Sequence, residues 1–245
     1  MRHINILAII GSTKDHSSNF KLVRFLKGLT VLSDLEENQK IIPTAKETTK
    51  AGQIMFSQDA HDPVHWDIFP ISGLPFFDPD LDKLDSYATT HIPSAEKEDK
   101  LNKDFDNTFE NKSDSGRLAS RVPTVVQQLR EKVAQADAVV ICTPEYIFSL
   151  PGILKNALEW LVSTTVLSDK PMALITAAAS GDRAKESLEL IVKTLGGRFT
   201  EKTSIHIRGI AGKFDTEGRL KDPEVIALLN KLIISLKELI LADQH

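Results

Sequence analysis

Five short apolar runs punctuate the chain, at residues 4–10, 64–69, 138–142, 172–176 and 203–207. Near-continuous apolar runs of this length predict parallel strands covered on both faces, whereas a sheet with one wet face would alternate apolar and polar residues. Helical periods lie between them. Val122, Val125, Val126, Leu129 and Val133 form one stripe, and Ile153, Leu154, Ala157, Leu158, Leu161 and Val162 a second. Leu188, Ile191 and Leu195 form a third, closed by Gly196-Gly197 as a stop signal. A last helix is predicted over 223–241, with Val225, Leu228, Leu229, Leu232, Leu236 and Leu239 inward. Strand and helix in alternation predict right-handed crossovers and a doubly wound α/β sheet.

Two polar stretches interrupt that rhythm, at about 34–60 and 85–116. From Glu96 to Asp114 there are seven acidic and four basic residues, a net of −3, most of the whole chain's −4. Segments of this kind read as solvated insertions. With no repeat and no evident linker, residues 1–245 are expected to form one domain carrying both insertions. The net negative charge offers no basic field for nucleic acid. Residues 1–10 could be read as a short secretory signal, but 11–15 lack a small-residue cleavage pattern, so 4–10 is taken as the first strand. No stretch approaches the ~18 uncharged apolar residues of a membrane span. The single cysteine, Cys142, rules out an intrachain disulfide and sits in an apolar run, so it reads as an inert buried thiol. A cytosolic chain is expected.

Two segments carry candidate chemistry. Gly11-Ser12-Thr13-Lys14-Asp15-His16-Ser17-Ser18-Asn19 lies between the first strand and a helix beginning near Phe20. Hydroxyls, an amide and free N–H groups at a helix start suit a phosphate monoester. They equally suit a plain helix cap, and both readings stand at this point. No G-x-G-x-x-G follows the first strand and no G-x-x-x-x-G-K-[ST] occurs, which argues against dinucleotide and P-loop sites. The second segment is Thr143-Pro144-Glu145-Tyr146-Ile147-Phe148-Ser149-Leu150-Pro151-Gly152-Ile153-Leu154-Lys155-Asn156. A buried strand that stops at a proline turn and restarts as a helix places a loop at the carboxyl edge of the sheet, where open α/β folds bind ligands.

The first segment resembles the G-S-x-R-x-x-S-x-N phosphate loop of the NAD(P)H-dependent FMN reductase family. Ala136-Asp137-Ala138 through Thr143-Pro144-Glu145-Tyr146, Pro151-Gly152, Leu154-Lys155-Asn156-Ala157 and Glu159-Trp160 are similar to its A-D-A … T-P-E-Y-N-x-S-x-P-G-x-L-K-N-A-x-D-W. Weaker echoes occur at residues 74–80 and 179–183. The resemblance implies a flavodoxin-like sheet of five parallel strands, order 2-1-3-4-5, with helices on both faces and FMN at the switch point between strands one and three. By matching position it implies that Ser12, Lys14, Ser17, Ser18 and Asn19 hold the phosphate. Pro144, Glu145, Tyr146 and Ile147 would then lie along the flavin ring, with Ser180 and Gly181 closing its other side. Three departures stand out: Lys14 for arginine, which loses a bidentate fork, Ile147 for asparagine, and Asp182 for glycine.

The activity so implied is transfer of hydride or electrons from NADPH or NADH, through bound FMN, to a small acceptor such as a quinone, a free flavin, an azo compound or an oxidised metal ion. No side chain is nominated as catalytic acid or base, since the flavin carries the chemistry. Lys14, Arg117, Arg121 and Arg183 are each able to meet a coenzyme 2′-phosphate. A homodimer, or a dimer of dimers, is expected. The rival reading is a non-enzymatic flavodoxin-like electron carrier or redox-dependent protein-binding module. No metal site is expected: His61, Asp62 and His65 lack a further ligand, and the 104–115 stretch puts Phe109 and Ser115 where a calcium loop needs glycine and glutamate.

Overall fold

The computed structural model describes residues 3–14, 16–36, 64–82 and 122–242. Its strands are β1 (Ile4–Ile10), β2 (Val64–Phe69), β3 (Ala138–Thr143), β4 (Met172–Ala178) and β5 (Ser204–Arg208). Its helices are α1 (Ser18–Glu36), α2 (Thr124–Gln135), α3 (Gly152–Glu159), α4 (Asp182–Thr194) and α5 (Pro223–Ala242). The strands form one sheet in the order β2-β1-β3-β4-β5, every neighbouring pair parallel. The order expected from the resemblance is the one observed. Most of the two polar stretches, together with Arg117 and Arg121, falls outside the described residues.

The reason for the continuous apolar runs is visible in the packing. Along β1, Ile6, Ala8 and Ile10 face α1 and α5, while Leu7 and Ile9 face α2, α3 and α4. On β3, Ala138, Val140 and Cys142 take the first face and Val139 and Ile141 the second, all of them fully buried. Each residue of a two-face strand therefore leaves water, at about 1.5–3 kcal/mol for a large aliphatic side chain.

The helix stripes pack as expected with two differences. Val162 is 62 % exposed, because α3 ends at Glu159 and the chain tightens into three-residue turns, Leu161 N to Leu158 O at 3.1 Å and Val162 N to Glu159 O at 3.1 Å. That tighter winding rotates Val162 off the inward stripe. On α5, Leu239 is half-buried and Ile233 and Ile240 join the core instead. Trp160 is fully buried, edge-on to Phe77 at 5.1 Å, with its indole N–H on Pro75 O at 2.9 Å. A charged pair is buried beside it: Arg130 on α2 bonds Asp82, and its Nε donates to Trp160 O at 3.0 Å.

All five helices begin at the carboxyl edge of the sheet, since each runs antiparallel to the strands. Ile10 pairs with Cys142 and Cys142 with Ile175, so the exits of β1 and β3 lie level. Cys142 is fully buried there, and burial pushes its thiol well above the ordinary range. The native protein is expected to leave a thiol reagent such as an aromatic disulfide unconsumed until denaturant is added; stoichiometric labelling under native conditions would contradict this burial.

Candidate functional site at the carboxyl edge

The β1 exit is pinned first. Gly11 N donates to Cys142 O at 2.8 Å, and a Cβ on Gly11 would stand 2.5 Å from Thr143 Oγ1, so only glycine lets the two exits meet. Ser17 then caps α1: its Oγ accepts from Phe20 N at 3.1 Å, and its carbonyl accepts from Lys21 N at 3.0 Å. The capping reading of this segment is thus correct for Ser17. It does not exhaust the helix start, because among the described residues the N–H groups of Ser18 and Asn19 meet no acceptor. Lys14 is exposed beside them, and Ser12 Oγ lies 3.4 Å from Lys14 N.

Asn19 behaves differently from the expectation attached to it. Its side chain is buried, its amide donating to Ala177 O at 3.2 Å and its Oδ1 accepting from Cys142 Sγ at 3.2 Å. It ties α1 to the ends of β3 and β4, so its own offering to a ligand is the backbone N–H.

The β3 exit is shaped by a carboxylate and a hairpin. Glu145 turns away from solvent to the start of α4: Oε1 accepts from Gly181 N at 3.1 Å and Oε2 from Ala184 N at 3.0 Å. It satisfies two orphan donors and suits the positive end of the helix. Next, Tyr146 and Ser149 exchange backbone bonds at 2.9 and 3.0 Å, making a two-residue hairpin whose tip residues Ile147 and Phe148 have φ of 50° and 56°. Positive φ at both tip positions is the type I′ pattern, which favours asparagine and glycine. A β-branched isoleucine there is a strained outlier. Both side chains project outward, 95 % and 77 % exposed, with Tyr146 at 54 %.

The β4 exit is the Ser180-Gly181 turn. Gly181 is buried at φ 112°, and beyond the bond to Glu145 the turn is held from β5, where His206 Nε2 bonds Ser180 O. Asp182 Oδ1 lies 2.6 Å from Arg208, whose hydrogen bond holds its carboxyl below the ordinary range. His206 and Arg208 are members of this edge that sequence reasoning did not name. They belong to a strand separated from the first by two others, so only the sheet order reveals them. On the opposite side Asn156 fixes the segment after β2, its Oδ1 accepting from Phe77 N at 2.7 Å and its amide donating to Pro75 O at 2.9 Å. Phe76 is left 92 % exposed.

All eleven nominated residues therefore gather at one edge. Direct bonds join the β1 loop to β3 and β4, and the β3 loop to the β4 loop. Among the described residues no group of His, Cys, Asp and Glu is arranged to hold a metal.

The sheet order and the helices around it define a doubly wound protein of flavodoxin type. The family model of the NADPH-dependent FMN reductases matches residues 4–209, and the chain belongs to that family. Among curated relatives, it is 34 % identical over 118 residues to an NADH:(hydroxy)cinnamate reductase subunit of Vibrio ruber, covering 46 % of this chain and 58 % of that one. It is 34 % identical over 120 residues to an NADPH:quinone oxidoreductase of Arabidopsis thaliana, covering 47 % and 61 %. The aligned part thus spans about three fifths of these relatives' own length. Among solved structures, the flavoenzyme NAD(P)H:(acceptor) oxidoreductase of Paracoccus denitrificans shares the fold at a TM-score of 0.59 and 18 % identity, covering 97 % of each chain.

The hairpin tip yields a prediction. Replacing Ile147 by Asn is expected to raise the unfolding free energy by about 1 kcal/mol, by relieving left-handed strain. Urea unfolding of the two proteins measures it; an unchanged or lowered stability would show that the hairpin imposes no strain on the isoleucine.

Proposed function

We propose that this chain is an FMN-dependent oxidoreductase that takes hydride from NADPH or NADH and passes electrons to a small acceptor. One observation carries the reading: among the described residues the first N–H groups of α1 meet no acceptor, while the starts of α4 and α5 are filled. Glu145 fills that of α4, and Asp222 that of α5, its Oδ1 accepting from Glu224 N at 3.0 Å and Val225 N at 3.2 Å. Among the described residues the α1 start keeps the N–H groups of Ser18 and Asn19, and the same short loop carries the hydroxyls of Ser12, Ser17 and Ser18 and the exposed Lys14. That donor set fits a dianionic phosphate monoester.

Bound there, FMN supplies acceptance of hydride from the nicotinamide and onward transfer to the acceptor. The chain's own residues orient and enclose. Lys14, Ser12, Ser17 and Ser18 hold the phosphate, and Asn19 contributes its backbone N–H. Pro144 through Ile147 line the ring, offering the backbone groups that the hairpin leaves over, since Tyr146 N and O are engaged with Ser149, and Ser180 and Gly181 wall the far side. α3, which starts at Gly152 with Pro151 as its cap and no side-chain cap bond, aims its positive end toward the same edge and favours negative charge there. No side chain is assigned a proton transfer; both Glu145 oxygens accept from the start of α4.

The same proposal takes the chain as one domain with two polar insertions, cytosolic in keeping with its single buried cysteine. It also takes the chain as a homodimer or dimer of dimers, since Phe76, Ile147, Phe148 and Val162 leave apolar surface exposed. Among the described residues no helix is long and apolar enough to cross a membrane.

FMN is expected to raise the melting temperature of the purified protein, by linkage. Under anaerobic conditions excess NADPH or NADH is expected to bleach the visible flavin band. A yellow protein that neither coenzyme bleaches would be an electron carrier, and a protein without an FMN-induced shift would have no flavin site. Within this scheme Lys14→Ala should weaken FMN roughly 10- to 100-fold, the scale of one hydrogen bond to a charged group, and leave riboflavin binding unchanged. Equal losses for both ligands in calorimetry would place Lys14 away from the phosphate.

A further inference from the structure

We infer that Glu145 and His206 are a pair of positioning residues that clamp the Ser180-Gly181 turn from opposite sides, so that this wall of the flavin site is set before any ligand arrives. The inference rests on the proposed function for its flavin consequences, and on geometry alone for the clamp.

Three observations meet on this turn. From the β3 side, the Glu145 carboxylate takes both Gly181 N and Ala184 N, one oxygen to each. From the β5 side, His206 Nε2 donates to Ser180 O, with its ring only 14 % exposed. Between them Gly181 sits at φ 112°, where a Cβ would lie 2.5 Å from His206 Nε2 and 3.1 Å from Thr176 Cγ2. The turn is thus confined above, below and at its own Cα. The bond that His206 makes fixes a proton on Nε2, leaving Nδ1 toward Asp182 Oδ1 at 3.6 Å, and Arg208 holds that carboxylate in turn.

The clamp has an electrostatic result as well as a mechanical one. A bare α4 start would present the equivalent of about half a positive charge at the flavin rim. Glu145 offsets it, so the α4 start does not compete with the α1 start for the phosphate. A glutamine at 145 would keep one acceptor and turn an amide N–H toward the other donor, leaving a backbone N–H unpaired and the helix end uncompensated.

The experiment uses the full chain in two states. Without flavin, amide hydrogen exchange at Gly181 and Ala184 is compared in the parent, Glu145→Ala and Glu145→Gln. Tenfold or faster exchange at one or both amides is expected on removing a charged acceptor, and parental exchange in both variants overturns the clamp. With FMN bound, Glu145→Gln is expected to move the flavin midpoint potential to more positive values. His206→Ala is expected to weaken FMN at least fivefold, and His206→Gln, whose amide can still donate to Ser180 O, to restore it. Faster exchange with a parental potential and parental affinities would make Glu145 a helix cap alone and overturn the positioning role. Should the Glu145 variants fail to fold, the His206 pair decides: loss with rescue supports the clamp, and no loss overturns it. Should the parent take up no FMN, the proposed function falls, while the exchange result still supports or overturns the clamp by itself.

Discussion

The carboxylate of Glu145 at the start of α4 organises this edge of the molecule. Parallel strands with antiparallel helices bring every helix start to one side of the sheet, and each start leaves N–H groups without intrahelical partners. Such an edge would draw anions at several places unless the chain supplied its own. Glu145 and Asp222 do so for α4 and α5. Among the described residues, the side chain that caps α1 is the neutral Ser17 hydroxyl. Under the proposed function this contrast favours a phosphate at the loop after β1, next to the level exits of β1 and β3. Binding selectivity at this edge is a matter of which donors the fold has already consumed.

The rest of the edge is arranged by small, buried contacts. Gly11 allows the β1 exit to touch β3, and Asn19 locks α1 against the ends of β3 and β4. Asn156 and Trp160 hold the segment after β2 to the end of α3. None of these residues needs to touch a ligand to matter. They set the distances among loops that do, which is why a site dominated by backbone donors can still be specific in shape.

Much of this was legible in the sequence, for physical reasons that can be traced to residues. Strands buried on both faces leave runs such as Ala138 to Cys142 that have no polar alternation, and the pattern located all five strands with β2 at its observed bounds. The loops after β1 and β3 were legible because turn and cap chemistry is local, as prolines 144 and 151, glycine 11 and serine 17 show. What stayed hidden depends on contacts between distant segments. That the Asn19 side chain is tied to β3 and β4, leaving its backbone N–H for any ligand, shows only once those strands are seen beside it. That the Glu145 carboxylate meets backbone donors is open to sequence reasoning, but which donors they are shows only once α4 is placed across from it. His206 and Arg208 carry no motif at all, and join the edge only through the strand order. Val162 fits a helical stripe on paper and leaves it because the helix ends three residues earlier.

The central claim is that the open start of α1, and not that of α4, receives the phosphate of a flavin. Backbone amide chemical shifts followed by NMR during titration with FMN and, separately, with riboflavin test it most directly. The account predicts large shifts at Ser18 and Asn19 with FMN and little change there with riboflavin, which has no phosphate. Equal responses at those amides to both ligands, or phosphate-dependent shifts centred on Gly181 and Ala184, would contradict it.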